Sequence, residues 1–116
     1  MHELSVTGDI FQIVLRYVAL HRVDKVLSIH LEIGELSDLE EEWIQHYFDK
    51  ISKGSAAEGA VLKVHKIPCV FYCEQCGAEF EAELSSVDMI MCPSCTSRKC
   101  RMVRGDEYTV KSMEVL

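Results

Sequence analysis

The sequence predicts an α+β fold: two helices packed on a small three-stranded sheet, with a module of short strands and loops inserted before the last strand. Three observations predict it. Apolar residues recur at helical spacing over residues 4–21 and again over 37–54, and between and after those stretches they alternate with polar ones. From Cys69 to Arg104 the chain changes to turn residues, short segments and cysteines. Within that stretch Cys73-Glu74-Gln75-Cys76 and Cys92-Pro93-Ser94-Cys95 are separated by 15 residues, the spacing of a zinc-ribbon-like site.

Each element follows from its own pattern. Residues 4–21 place Val6, Ile10, Ile13, Val14, Tyr17 and Val18 on one helical stripe. Gly8 weakens that helix by roughly 1 kcal/mol relative to alanine. Over 25–33, Leu27, Ile29, Leu31 and Ile33 alternate with Ser28, His30 and Glu32, and Gly34 ends the strand. Ser37-Asp38-Leu39-Glu40 has the form of a capping box, which predicts a second helix opening at Ser37. That helix carries Ile44, Tyr47, Phe48 and Ile51 and stops near Gly54. A strand over 61–67 sends Leu62 and Val64 to one face and Lys63 and His65 to the other. The last strand, Tyr108–Val115, changes parity between Val110 and Met113, which suggests a bulge. The expected domains are therefore an α/β domain of residues 1–68 and 105–116, and an inserted metal-binding module of 69–104.

Composition excludes several function classes. The chain has 116 residues, 48% hydrophobic and 27% charged, which suits one small globular unit carrying a metal-stabilised module. A net charge of −7 argues against a general nucleic-acid binder, which needs a basic face for phosphates. No apolar run approaches the roughly 20 residues of a membrane helix. Glu3, Asp9 and Arg16 interrupt the N-terminus where a signal peptide would be apolar, so a cytoplasmic protein is expected. In that compartment six cysteines read as thiols and metal ligands, not disulfides.

The four paired cysteines are expected to hold Zn²⁺. Each Cys-x2-Cys turn aims two thiolates at one point, and two such turns complete a tetrahedron. Gly77, directly after the first pair, suits the positive φ such a turn needs. Four sulfur donors leave no position for water, so the expected zinc is structural. Cys69 and Cys100 read as small reduced core residues; exchange into the zinc site or a regulatory disulfide is the sharper alternative. Arg98, Lys99, Arg101 and Arg104 form a basic cluster, read first as a solvated face and second as a docking surface for an acidic partner.

The N-terminus offers different chemistry. The Met1 α-amine, the His2 backbone nitrogen and the His2 imidazole can close adjacent five- and six-membered rings around one metal. Three nitrogens in a plane suit a tetragonal ion such as Ni²⁺ or Cu²⁺, and one corner stays open. Glu3 and the acidic residues from Asp38 to Glu42 are further candidate donors for that corner. The run Glu40-Glu41-Glu42 reads most simply as the acidic first turn of a helix. His21, His30, His46 and His65 read as solvated or sheet-surface residues.

Met1-His2-Glu3-Leu4-Ser5, Leu31–Ser37, Glu58-Gly59-Ala60, the two cysteine pairs and Lys111-Ser112-Met113-Glu114 keep one order along the whole chain. In these motifs the sequence resembles the HypA/HybF family of hydrogenase maturation nickel chaperones. The resemblance implies nickel bound at the N-terminus with His2 as the essential side chain, and zinc at Cys73, Cys76, Cys92 and Cys95. It implies delivery of nickel to the [NiFe]-hydrogenase large subunit beside a HypB-type GTPase, with urease maturation factors as further partners. A monomer or weak homodimer that touches neither nucleic acid nor membrane is expected. No glycine-rich phosphate loop, open zinc position or Ser/His/Asp set marks an enzyme. Residues 69–116 contain no histidine, so a pH-driven exchange of cysteine for histidine at the zinc is not expected. The alternative reading is a zinc-ribbon protein-interaction adaptor without nickel transfer.

Overall fold

A computed structural model describes residues 3–82 and 90–116. In chain order the described elements are α1 (Glu3–His21), β1 (Val26–Gly34), α2 (Glu41–Ile51), β2 (Val61–Ile67), β3 (Cys69–Cys73), β4 (Glu79–Ala82), β5 (Cys100–Arg104) and β6 (Tyr108–Val115). They form two three-stranded sheets, β2-β1-β6 and β4-β3-β5. Strands β3 to β5 come between β2 and β6 in the chain, so the second sheet is inserted before the last strand of the first. The predicted α+β class is the one observed.

The chain divides into two compact units. The first takes the chain up to Glu32, Asp38–His65 and Thr109–Leu116. The second takes Ile33–Ser37 and Lys66–Tyr108.

In the first unit the core is built from one face of each element. Val6, Ile10 and Val14 of α1, Ile44 and Phe48 of α2, Val26, Ile29 and Leu31 of β1 and Leu62 of β2 are all buried. Phe11 meets Phe48 edge to face with ring centres 5.9 Å apart. The apolar stripe of α1 is narrower than its sequence suggests. Ile13 and Tyr17 are 43% and 37% exposed, and with Val110–Met113 of β6 they line a shallow groove. Leu27 is likewise exposed, although Ile29 and Leu31 of the same parity are buried. Beyond α1, Arg22 takes a left-handed conformation and the Val23 N–H donates to the Val18 carbonyl, which closes the helix.

The second helix begins later than the capping box predicts. It starts at Glu41, with Glu40 extended at the cap and making no side-chain capping bond. The Ser37 N–H, which a capping box would give to the Glu40 side chain, donates instead to the Gly34 carbonyl at 3.0 Å. Leu39, in the stretch before the helix, is buried. A turn at the end of β1 takes the amide that the box needs.

Gly34 closes β1 for a steric reason. A β-carbon at that position would overlap the backbone carbonyl of Gly105. The Gly34 N–H also donates to the Glu107 carbonyl at 2.9 Å, so the two backbones are held in direct contact. Only glycine allows that approach.

Candidate metal centre

The second unit carries the cysteine pairs. Strand β3 is central, antiparallel to β4 on one side and to β5 on the other. The turn after β3 returns through Cys76 to β4, and a second turn through Cys92 and Cys95 leads to β5.

The two turns are copies of one another in hydrogen bonding. The Gly77 N–H donates to the Cys73 carbonyl and the Cys73 N–H to the Ala78 carbonyl, both at 2.8 Å. The Thr96 N–H donates to the Cys92 carbonyl at 2.8 Å and the Cys92 N–H to the Ser97 carbonyl at 2.9 Å. Gly77 and Thr96 hold the same place in the two turns and both are left-handed, at φ 79° and 60°. The first suits glycine, as expected from the sequence. The second does not suit a β-branched residue, and Thr96 remains there with its hydroxyl donating to the Cys95 carbonyl at 2.6 Å. Thr96→Gly should therefore stabilise this turn by about 0.5–1 kcal/mol, read as a higher unfolding midpoint and slower loss of metal to a chelator.

Backbone amides of Cys76 and Gln75 pull the Cys73 thiol down to about 6. Amides of Cys95 and Ser94 likewise pull Cys92 down. In both turns the donors come from the second and third residues after the first cysteine. Pro93, the first residue after Cys92, therefore costs no donor.

These turns bring four sulfurs together. The Sγ atoms of Cys73, Cys76, Cys92 and Cys95 all lie within 4.8 Å of one another. The two cross-turn pairs, Cys73–Cys95 and Cys76–Cys92, are each 3.5 Å apart. A tetrahedral ion with metal–sulfur bonds near 2.3 Å separates its sulfurs by about 3.8 Å. The two 3.5 Å pairs lie close to that separation, so the four thiols can close on such an ion with small adjustments. Their charges are not self-sufficient. The Ser97 amide draws Cys95 down, yet burial and the neighbouring Cys73, Cys76 and Cys92 push it up to about 12. Four thiolates in so small a volume need a divalent cation among them.

Cys69 and Cys100 are not part of the quartet. Cys69 is fully buried; burial first, then the Glu35 carboxylate, pushes its thiol up. Cys100 lies opposite Cys73 in the β3–β5 register and is half-buried. Burial and then Cys73 raise it. The basic cluster is partly committed: Arg101 reaches Glu74 at 3.6 Å and lies over the Tyr72 ring, and Arg104 reaches Glu79 at 4.0 Å.

In the first unit, Glu3 opens α1, half-buried, with its carbonyl accepting from the Thr7 hydroxyl at 2.6 Å. Glu40 caps α2, and Glu41 and Glu42 form its acidic first turn. Met1 and His2 lie outside the described residues. His21 and His46 are exposed on the helices, as expected. His30 and His65 are on the sheet surface as expected, but they touch each other, which no local pattern signalled.

Comparison with known proteins matches this arrangement. The family described as "Hydrogenase/urease nickel incorporation, metallochaperone, hypA" matches residues 1–115. The chain belongs to the HypA family. A hydrogenase maturation factor HypA from Nostoc sp. is 39% identical over 115 residues, covering 99% of this chain and 96% of that protein. One from Azotobacter chroococcum is 36% identical and covers 99% of both. The solution structure of the Ni metallochaperone HypA from Helicobacter pylori superposes with a TM-score of 0.75 over 100% of this chain and 98% of that one. At 22% identity this last likeness shows the fold. Membership makes the chain one of a family of nickel-incorporating maturation factors, and among the described residues no helix is long and apolar enough to cross a membrane.

Proposed function

We propose that this protein is a cytoplasmic nickel carrier that binds Ni²⁺ at its N-terminus and passes it to the large subunit of [NiFe]-hydrogenase during maturation. The observation that carries the reading is the family match running from residue 1, so that Met1-His2-Glu3 falls inside it. In this reading the α-amine of Met1, the backbone nitrogen of His2 and the His2 imidazole hold the ion. Glu3 or a partner's donor fills the remaining corner. An open corner is what a carrier needs, because a receiving site can bind the metal before the first ligands release it.

Cys73, Cys76, Cys92 and Cys95 hold Zn²⁺ in a site closed by four sulfurs, and the ion there organises the fold and takes no part in turnover. Residues 1–68 and 105–116 then serve as the nickel-binding α/β domain and 69–104 as the zinc module. With no phosphate-binding loop in the chain, nucleotide hydrolysis belongs to a HypB-type GTPase partner. Urease maturation factors are further recipients on the same chemistry.

Deletion and complementation test this function. Cells lacking the protein should lose [NiFe]-hydrogenase activity and regain it with the native chain or with excess nickel, but not with His2→Ala. Full rescue by His2→Ala would transfer the role away from the terminus.

A further inference from the structure

On the first unit, five side chains of three adjacent strands meet on the sheet face that turns away from the core. Ile29 and Leu31 of β1 are buried, and Ser28 and His30 alternate with them toward the other face. There the His30 Nδ1 lies 3.0 Å from the His65 Nε2 of β2, with the two rings near parallel at 11°. The other ring nitrogen of His30, Nε2, lies 3.1 Å from Oε1 of Glu114 on β6. The Ser28 hydroxyl donates to the same oxygen at 2.6 Å and the Lys63 ammonium reaches it at 3.4 Å. Glu114 Oε1 is thus the shared acceptor of a hydroxyl, an imidazole and an ammonium.

That last fact orders the protons. A carboxylate cannot donate, so His30 Nε2 carries the hydrogen and donates it to Glu114. In the neutral ring Nδ1 is then the lone-pair nitrogen, and His65 Nε2–H donates to it. The direction runs from His65 through His30 to Glu114. A histidine whose far nitrogen is tied to a carboxylate is the arrangement found behind metal-ligating imidazoles.

We propose that His30 Nδ1 and His65 Nε2 form a second metal site, taking one borderline divalent ion of the Ni²⁺ class, with Glu114 as the residue that orients His30. The distances suit it. Two imidazole nitrogens bound at about 2.0–2.1 Å and at right angles to each other lie about 3.0 Å apart. His30 and His65 are already at that separation. The ion replaces the shared proton: the N–H···N bond breaks, His65 moves its proton to the solvent-facing Nδ1, and both rings turn so that their lone pairs converge. Two neutral nitrogens bind the ion, no proton is released from the neutral pair, and water fills the remaining positions. Imidazole donors select this class of ion over Mg²⁺ or Ca²⁺. Lys63 opposes the bound charge but is itself engaged by Glu114, so the site depends on its two nitrogens and on the orientation of His30.

This site does not depend on the N-terminal one, and the test keeps them apart. Full-length, zinc-loaded His2→Ala protein is titrated with Ni²⁺ while the imidazole C–H resonances are followed by NMR. The first equivalent should shift or broaden His30 and His65 and leave His21 and His46 in place. Glu114→Gln should weaken this binding by about 10–100-fold, the usual cost of losing a carboxylate behind a metal-bound histidine. The paired variants His30→Ala/His65→Ala and His30→Gln/His65→Gln should lose it, with zinc content and circular dichroism unchanged. Unmoved His30 and His65 resonances, or Ni²⁺ affinity in the paired variants equal to that of the His2→Ala parent, would overturn the proposal. Neither outcome depends on whether His2→Ala lowers nickel binding in the otherwise native chain.

Discussion

Replacing Cys73 with alanine should release the zinc and unfold the cysteine module while leaving the two helices and their sheet folded. The expectation comes from what little else holds the second unit together. Its buried hydrophobic side chains, among the described residues, are Ile33, Val70, Phe71 and three cysteines, Cys69, Cys73 and Cys92. With half of that core made of thiol carriers, a metal held by the quartet would stand in for a missing hydrophobic interior. Binding free energy at a structural zinc site is folding free energy, on the order of 10 kcal/mol for small zinc modules. Three remaining thiolates cannot retain it. The first unit has no such dependence, since its core of Val6, Ile10, Val14, Ile44 and Phe48 contains no cysteine. Zinc analysis and NMR on Cys73→Ala check both halves. Retained zinc, or collapse of the helical signal along with the module, would contradict the account.

His2→Ala should have the opposite selectivity: it removes nickel binding and leaves zinc at one per chain. The imidazole is the only side-chain donor that closes a ring with the adjacent amide nitrogen and α-amine. A donor tethered this closely acts at a high effective concentration, so its loss should weaken Ni²⁺ by about 10²–10⁴-fold. Glu3→Ala should be milder, because Glu3 opens α1 and contributes its main chain to the first turn whatever its side chain is. Calorimetry with Ni²⁺ on zinc-loaded protein measures the difference. If His2→Ala bound nickel as tightly as the native chain, the imidazole would not be a ligand.

Much of the fold was legible because its signals are local. The alternation in 61–67 and the limits of Tyr108–Val115 match β2 and β6 residue for residue. The cysteine quartet was legible for the same reason, since a Cys-x2-Cys turn carries its own geometry and two of them need only be brought together. The misses share a different origin. Ser37-Asp38-Leu39-Glu40 is a good capping sequence, but the Ser37 amide that the box needs is taken by the Gly34 carbonyl in the turn that ends β1. Ile13 and Tyr17 lie on the apolar stripe of α1 but stay partly exposed along the shallow groove they form with β6. Thr96 is left-handed because its turn repeats the one at Gly77, a symmetry seen only when the hydrogen bonds are compared. His30, His65 and Glu114 are far apart in sequence and meet only through the β2-β1-β6 strand order.

The central claim is that nickel is bound by the terminus itself, and the most direct test changes no residue of the chain. A Gly-Ser extension before Met1 converts the α-amine to an amide and moves the charged terminus away from His2. Calorimetry with Ni²⁺ on zinc-loaded native and extended proteins should show tight binding in the first and its loss in the second, with one zinc per chain and the same circular dichroism in both. Equal nickel affinity in the two proteins would contradict the N-terminal site.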